Sequence, residues 1–217
     1  MNLKDIKNQF PVWHGWYGRF LPKDKSAIIL DAGCGRGGMV NWLQNKGYSN
    51  TEGIDINREK IDEGTGLGVK NIHHGDALSF LKNKNDYYDR VFLVDVLDYL
   101  TKEETLNLLE EIFKSLKKDG IVVIRGVNAE SPVGRLRNAH FGERVDITEQ
   151  SIKTALSGIG FREPGAYPVR PVVHGMKSFI RHCLWRIIEI GLKLYRLIET
   201  GSSAGIFTQN VIIVGRK

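Results

Sequence analysis

Three glycines and an aspartate stand close together near the start of the chain. Gly33, Gly35 and Gly37 follow one another at intervals of two residues, and Asp31 lies two residues before the first of them. Alternate glycines let a backbone turn sharply and approach a ligand at the N-terminus of the next helix. With Gly38 as the last glycine, the same run also satisfies the dinucleotide-binding pattern G-x-G-x-x-G. The glycines therefore indicate a nucleotide-like ligand and leave its identity open.

Carboxylates at the ends of three successive predicted strands narrow the choice of ligand. Asp31 would repel a pyrophosphate resting on the loop and favours a ligand with cationic character. Asp55 follows Gly35 by 20 residues, the separation at which an acidic side chain meets ribose hydroxyls in nucleotide-binding folds. Asp76 can accept a hydrogen bond from an adenine amino group, although aspartate also caps helices. S-adenosylmethionine carries a sulfonium and an ammonium and no phosphate, so the three carboxylates favour it over a dinucleotide.

The elements that must position these residues alternate between strands and helices. Strands are predicted at residues 27–32, 51–56, 71–74, 90–95 and 120–125. Helices are predicted at 38–46 and 102–117, the second opened by a capping box of Thr101 and Glu104 and closed by Lys114, Lys117 and Lys118. This alternation favours a parallel sheet with its ligand at the carboxyl edge of the strands.

The pattern changes after residue 126. Residues 127–147 are irregular, a helix is predicted from Thr148 to about 157, and a strand follows Gly160 and Phe161. One helix dominates an insertion at 171–205 before a closing strand at 207–214. We predict a single domain over 1–217, with a lid segment at 1–25, a cofactor-binding core at 26–126 and an acceptor-side half at 127–217.

Five motifs occur in the order found in class I S-adenosylmethionine-dependent methyltransferases, which the chain resembles over residues 25–125. They are LDAGCGRG at 30–37, GIDI at 53–56, GDA at 75–77, DRVFLVDVLDYL at 89–100 and LKKDGIVVI at 116–124. The resemblance implies a Rossmann-like α/β fold. Its seven-stranded sheet would be mostly parallel, with an antiparallel last strand and the helical insertion before it.

The resemblance also implies the cofactor, S-adenosyl-L-methionine, and the product, S-adenosyl-L-homocysteine. The implied binding residues are Asp31, Gly33, Gly35, Gly37, Asp55, Ile56, Asp76, Ala77, Asp95 and Val96. Asp31 and the loop glycines would hold the methionine end, Asp55 the ribose and Asp76 the adenine. Asp95 and Val96 would lie near the methyl group.

Looser similarities are to a subgroup encoded with bacterial capsule or lipopolysaccharide genes. They lie in RFLPKDK at 19–25, in Phe161, in the basic helix and in IFTQNVIIVG at 206–215. They imply methyl transfer to an oxygen of a sugar, sugar phosphate, phosphoramidate or glycan intermediate of surface polysaccharide biosynthesis. The subgroup usually has DFTHE before the helix at Thr148, where this chain has HFGER at 140–144. No catalytic histidine is therefore carried over at that point.

Candidates for catalysis come from segments that follow strand ends. Methyl transfer from a sulfonium is an in-line displacement, and a neutral hydroxyl acceptor also needs a base, whereas an anionic oxygen needs little. His140 and Glu143 lie in the irregular segment expected to overhang the methyl group, and a neutral histidine is a suitable base near pH 7. Tyr99 follows the fourth strand. Alternatively, His140 lies in a surface turn and Tyr99 forms a wall of the cofactor pocket.

Two further segments allow more than one interpretation. The helix at 176–198 is amphipathic, with basic residues on one side and apolar residues on the other. It either makes peripheral contact with a membrane near a lipid-linked glycan, or packs on its own domain or on the partner of a homodimer with its basic face in solvent. The aromatic-rich segment of Trp13, His14, Trp16, Tyr17 and Arg19 is a lid over the cofactor, part of the core or a dimer contact.

Composition limits the function classes. The chain has 217 residues and two cysteines, which exclude a disulfide scaffold and a multi-cysteine metal cluster and favour a cytoplasmic location. Neither H-x-x-x-H nor C-x-x-C spacing occurs, so no metal is expected.

The net charge of +6 keeps an RNA methyltransferase as the alternative function. Nucleic acid is not the expected partner, because no N/D-P-P-Y/F motif follows the fourth strand. A dehydrogenase and a non-catalytic cofactor-binding protein are the remaining hypotheses.

Overall fold

A seven-stranded sheet forms the centre of the computed structural model, which describes residues 3–132, 147–173 and 175–217. Its strands lie in the order β3-β2-β1-β4-β5-β7-β6. They are β1 Ile29–Ala32, β2 Thr51–Asp55, β3 Ile72–His74, β4 Tyr88–Val94, β5 Leu116–Val127, β6 Arg162–Pro168 and β7 Asn210–Arg216. Only β7 runs against its neighbours. The predicted fold, including the antiparallel last strand, is confirmed.

Helices cover both faces of the sheet. They are α1 Leu3–Lys7, α2 Phe10–Tyr17, α3 Gly38–Asn45, α4 Arg58–Gly66, α5 Ala77–Leu81, α6 Lys102–Ser115, α7 Glu149–Ile159 and α8 Met176–Thr200, with short 3-10 turns at Gly18–Phe20 and Leu97–Tyr99. The predicted capping box is present, because the Glu104 amide donates to Thr101 Oγ1 and the Thr101 amide donates to Glu104 Oε2.

Alternate residues of the central strands pack into two separate apolar layers. In β4, Val91 and Leu93 face the layer formed with α5, α6 and α7, whereas Phe92 faces the layer formed with α2 and α3. This alternation is the pattern of a sheet buried on both sides. In β1 it places Asp31 on the same face as Ile29, toward α2 and α3.

The end of α6 differs from the prediction. The helix ends at Ser115 and β5 begins at Leu116, which pairs with Tyr88. Lys117 therefore lies in the strand and forms an ion pair with Asp89 at 2.8 Å instead of meeting the helix terminus. The prediction for Lys117 and Lys118 was wrong because both residues belong to β5, which begins directly after the last residue of α6.

Candidate active site

The glycine loop joins β1 to α3 in backbone conformations that favour glycine. Gly33, Gly35 and Gly37 have φ values of +83°, +56° and +72°. A methyl group on Gly33 would clash with Cγ2 of Val96, and one on Gly37 would lie 2.8 Å from side-chain carbons of Val69 and Ile72. Both the left-handed backbone and the close packing therefore require glycines in this loop.

Asp55 fixes the loop to the end of β2. Its Oδ2 accepts a 2.7 Å hydrogen bond from the Gly35 amide, and its Oδ1 accepts one of 2.8 Å from the Asn57 amide. The amides of Gly33 and Cys34 both donate to the carbonyl of Ile54. Each carboxylate oxygen can accept a second hydrogen bond, so Asp55 can support the loop and bind a hydroxyl together.

Asp31 is a buried carboxyl group at this edge of the sheet. Its side chain is buried, and its Oδ1 accepts no hydrogen bond from the described residues. Burial, with a smaller contribution from the Asp55 charge, raises the pKa of the Asp31 carboxyl to about 7. A buried carboxylate without a partner is costly, and a cationic group placed against it would remove that cost. The site therefore fits a ligand that carries a positive charge.

The ends of β2 and β3 lie side by side, since the Gly75 amide donates to the Asp55 carbonyl. Asp76 is the N-cap of α5, and its Oδ2 accepts a 2.8 Å hydrogen bond from the Ser79 amide. The capping role considered for Asp76 is thus present, and its other oxygen can still meet a ligand. Ala77 opens α5, and Ile56 beside them is 74% exposed. An exposed apolar side chain here is suited to the flat face of a purine.

The end of β4 contacts both the glycine loop and the side chain of Arg125, a basic residue that was not among the candidates predicted from the sequence. Asp95 has φ +56°, and its Oδ2 lies 3.1 Å from Nη1 of Arg125 at the end of β5. Val96 packs against Gly33. The strand-end rule that singled out the aspartates applies equally to Arg125 and would have found it.

Helix α2 covers this part of the edge. Trp16 donates from Nε1 to the Arg170 carbonyl at 2.9 Å, and the Arg125 guanidinium lies 4.9 Å from its ring centre. Tyr17 packs edge-on against Phe92 in the core, and burial raises the pKa of its phenol. The core interpretation of this segment is confirmed for Tyr17, and Trp13 and Trp16 pack against the same apolar layer, where Trp16 also borders the site.

Of the three catalytic candidates, only Tyr99 lies within the residues that the structure describes. Tyr99 ends the 3-10 turn after β4 and is 71% exposed at the carboxyl edge. His140 and Glu143 lie outside the described residues. No cluster of His, Cys, Asp or Glu side chains placed to hold a metal occurs in the ranges that the structure describes.

A cavity of about 510 Å³ opens at the same edge, between α8 and the ends of β6 and β7. Its lining includes Trp16, Arg170, Lys177, Arg181 and Trp185. The cavity lies at the carboxyl edge because Asn210 of antiparallel β7 pairs with Val127, the last residue of β5. Trp16 therefore separates this cavity from Arg125 and the end of β4.

Comparison with known proteins identifies the family. A family model described as a methyltransferase domain matches residues 7–162. The chain belongs to this methyltransferase family. As a methyltransferase it uses S-adenosylmethionine as its cofactor, which the glycine loop and the unsatisfied Asp31 fit.

Solved structures support the methyltransferase fold. An S-adenosylmethionine-dependent methyltransferase from Archaeoglobus fulgidus has 21% identity and a TM-score of 0.70, covering 99% of this chain and 97% of its own. One from Mesorhizobium loti has 15% identity and a TM-score of 0.67, covering 95% and 98%. Phosphoethanolamine N-methyltransferase 2 from Haemonchus contortus, in complex with S-adenosyl-L-methionine, has 15% identity and a TM-score of 0.64, covering 97% and 52%. No curated protein matches the sequence.

Proposed function

We propose that this methyltransferase acts on an oxygen of a small polar acceptor. The acceptor would be a sugar, sugar phosphate, phosphoramidate or glycan intermediate of surface polysaccharide biosynthesis. The observation that carries this proposal is the cavity beside the cofactor edge, whose lining combines two indole rings with three basic side chains.

In this proposal each strand-end residue binds a different part of the cofactor. Asp31 pairs with the ammonium of the methionine end, and the amides of the glycine loop approach the same part of the ligand. Asp55 accepts hydrogen bonds from the ribose hydroxyls. Ile56, Asp76 and Ala77 surround the adenine, while Asp95 and Val96 lie next to the methyl group. When bound, the cofactor supplies an activated methyl group on its sulfonium.

The lining of the cavity suits a phosphorylated sugar. The faces of Trp16 and Trp185 can pack on sugar C–H groups, and Trp185 Nε1 is buried and donates no hydrogen bond to the described residues. Arg170 is held by Glu189 at 2.7 Å, whereas Lys177 and Arg181 form no ion pair within the described ranges. The last two are therefore available for an anionic group.

The distance between this cavity and the proposed methyl position suits a small acceptor. One strand, β5, separates β4 from β7, so the two strand ends lie about 10 Å apart at ordinary strand spacing. A sugar phosphate can span that distance with its anionic end at Lys177 and Arg181 and its reacting oxygen near Asp95.

The acceptor site is tested by methyl transfer to nucleotide sugars, sugar phosphates and short RNA, with labelled S-adenosylmethionine. For an accepted sugar phosphate, Lys177→Gln/Arg181→Gln is expected to raise KM about ten-fold through loss of charged hydrogen bonds. Cofactor Kd is expected to stay unchanged. The control Lys82→Gln, an exposed lysine after α5, is expected to change neither. Methylation of RNA alone, with a steep salt dependence, would show that the alternative RNA methyltransferase function is correct.

We also propose His140 as the base for a neutral hydroxyl acceptor, with Glu143 and Tyr99 as further candidate catalytic residues. Replacing His140 with alanine is expected to lower kcat by about 100-fold or more and to leave cofactor Kd unchanged. Turnover by the variant should recover as the pH is raised and the acceptor ionises. Full activity at neutral pH would remove His140 from this role.

A further inference from the structure

Helix α8 directs its apolar side away from the domain. Eleven of its large apolar side chains are exposed, among them Phe179, Ile187, Ile190, Leu194 and Ile198. Adjacent turns of the helix bring these positions together into one continuous stripe. Monomeric proteins rarely leave an apolar surface of this extent in water.

The opposite side of α8, which meets the domain, is polar. Its half-buried and buried positions follow intervals of four and three residues, with Lys193 next to them: Ser178, His182, Trp185, Glu189, Leu192, Lys193 and Arg196. Glu189 is 7% exposed and is held by Arg170 at 2.7 Å, Arg186 at 3.5 Å and Lys193 at 3.6 Å. The hydrogen bond from Arg170 lowers the pKa of this carboxyl. The sequence interpretation of a helix with its basic face in solvent is right only in part, because Glu189 on that face is buried, whereas the side chains of Arg186 and Lys193 remain 53% and 42% exposed.

The charges left beside the apolar stripe are positive. Lys177 and Arg181 flank it near its start, and within the described residues neither forms an ion pair. Glu189 is neutralised against the domain, so Glu199, in the last turn, is the other acidic residue of α8. An apolar stripe with a basic border is complementary to a surface that is apolar beneath an anionic layer.

We propose that α8 docks on an anionic lipid bilayer, lying in its interface with the apolar stripe among the acyl chains. The helix has 25 residues, a length of about 37 Å. No helix in the described ranges has the length and apolar character needed to span a membrane. A second copy of α8 would offer Lys177 and Arg181 a single exposed carboxylate, that of Glu199. A bilayer with anionic headgroups offers them a continuous layer of phosphates.

Docking in this way would bring the acceptor cavity to the membrane. Ile180, Leu184 and Ile188 line the cavity and are also exposed on α8. Together with the proposed function, this orientation would allow an acceptor carried on a lipid to reach the cavity from the bilayer. The docking itself does not depend on the acceptor.

Vesicle co-sedimentation of the purified full chain tests the proposal. The probes are vesicles of phosphatidylcholine alone and of phosphatidylcholine mixed with phosphatidylglycerol. Binding is expected to the mixed vesicles and to be much weaker to the neutral ones. Raising the salt from about 0.1 M to about 1 M, which shortens the screening length from about 10 Å to about 3 Å, is expected to weaken it. Ile187→Glu/Leu194→Glu, in the exposed stripe and outside the cavity, is expected to reduce it at least about ten-fold.

The matched control is Gln150→Glu/Ser157→Glu on α7, which adds the same charge at the same spacing on exposed positions and is expected to bind vesicles normally. Retained S-adenosylmethionine binding shows that each variant is folded. Equal binding to both vesicle types, or to neither, would overturn the proposal. So would a dimer in lipid-free solution that Ile187→Glu/Leu194→Glu dissociates, because the stripe would then be covered by a second copy. Each result is independent of methyl transfer, so it stands apart from the proposed function.

Discussion

Replacing Asp31 with asparagine is expected to stabilise the ligand-free protein at about pH 8 while weakening S-adenosylmethionine binding about 100-fold. The ordinary pKa of the carboxyl is 3.8, and burial raises it to about 7 in the folded chain. The folded state thus holds a proton that the unfolded state releases between these values. Stability associated with this group is complete below about pH 4 and falls as the pH rises through 7.

Thermal unfolding across this range measures the effect. The shift corresponds to at most about 4 kcal/mol, and an amide without hydrogen-bond partners would recover part of it. We therefore expect the variant to melt about 5 °C above the wild type near pH 8 and at the same temperature near pH 4, where Asp31 is protonated in both the folded and the unfolded chain. Identical pH profiles for the two proteins would contradict the raised pKa.

The same titration predicts how cofactor affinity depends on pH in the wild type. If the ionised Asp31 pairs with the ammonium of the ligand, affinity falls roughly ten-fold for each pH unit below about 7. Binding at neutral pH then releases a fraction of a proton, which calorimetry detects as a binding enthalpy that varies with the buffer. Asp31→Asn is expected to abolish both effects.

Replacing Asp55 with alanine is expected to weaken both the fold and cofactor binding. Two backbone amides, those of Gly35 and Asn57, lose a carboxylate acceptor, at a cost of about 3 kcal/mol in the free energy of unfolding. Cofactor affinity is expected to fall about 100-fold, because the loop loses its support and the ribose loses its acceptor. Chemical denaturation and titration calorimetry measure the two quantities separately.

Two further variants separate these causes. Asp55→Asn keeps one oxygen for a backbone amide and is expected to recover about half of the lost stability. Asp24 also accepts a backbone hydrogen bond, from the Ser26 amide at 2.9 Å, but at the start of β1 on the opposite edge of the sheet. Asp24→Ala should therefore leave cofactor affinity unchanged. Wild-type affinity in Asp55→Ala would exclude Asp55 from the ribose site.

The cofactor edge was predictable from the sequence because its parts are local. Parallel strands end at one edge, so Asp31, Asp55 and Asp76 could be placed together from strand positions alone. The pairing of Asp55 with the Gly35 amide could not be foreseen, because it depends on the path of the loop. The position of Arg125 beneath Trp16 depends on how α2 returns over the sheet, and the sequence contains no periodic signal for that path.

The orientation of α8 was not predictable for a different reason. Periodicity shows which residues share a face of a helix, but not which face meets the domain. Apolar faces usually pack inward, and here Arg170, from the segment after β6, draws Glu189 toward the domain instead. The periodicity of polar and apolar residues along α8 does not indicate a long-range ion pair of this kind.

The outward-facing apolar side of α8 has a practical consequence for work with the purified chain. Side chains that face outward on α8 contribute nothing to the two apolar layers beside the sheet, so the domain can fold to its full stability and still precipitate. Mild detergent or a few polar substitutions on that outer stripe should keep concentrated samples clear without moving the melting temperature. We therefore expect substitutions in the outer stripe to change solubility and substitutions in the two apolar layers to change stability.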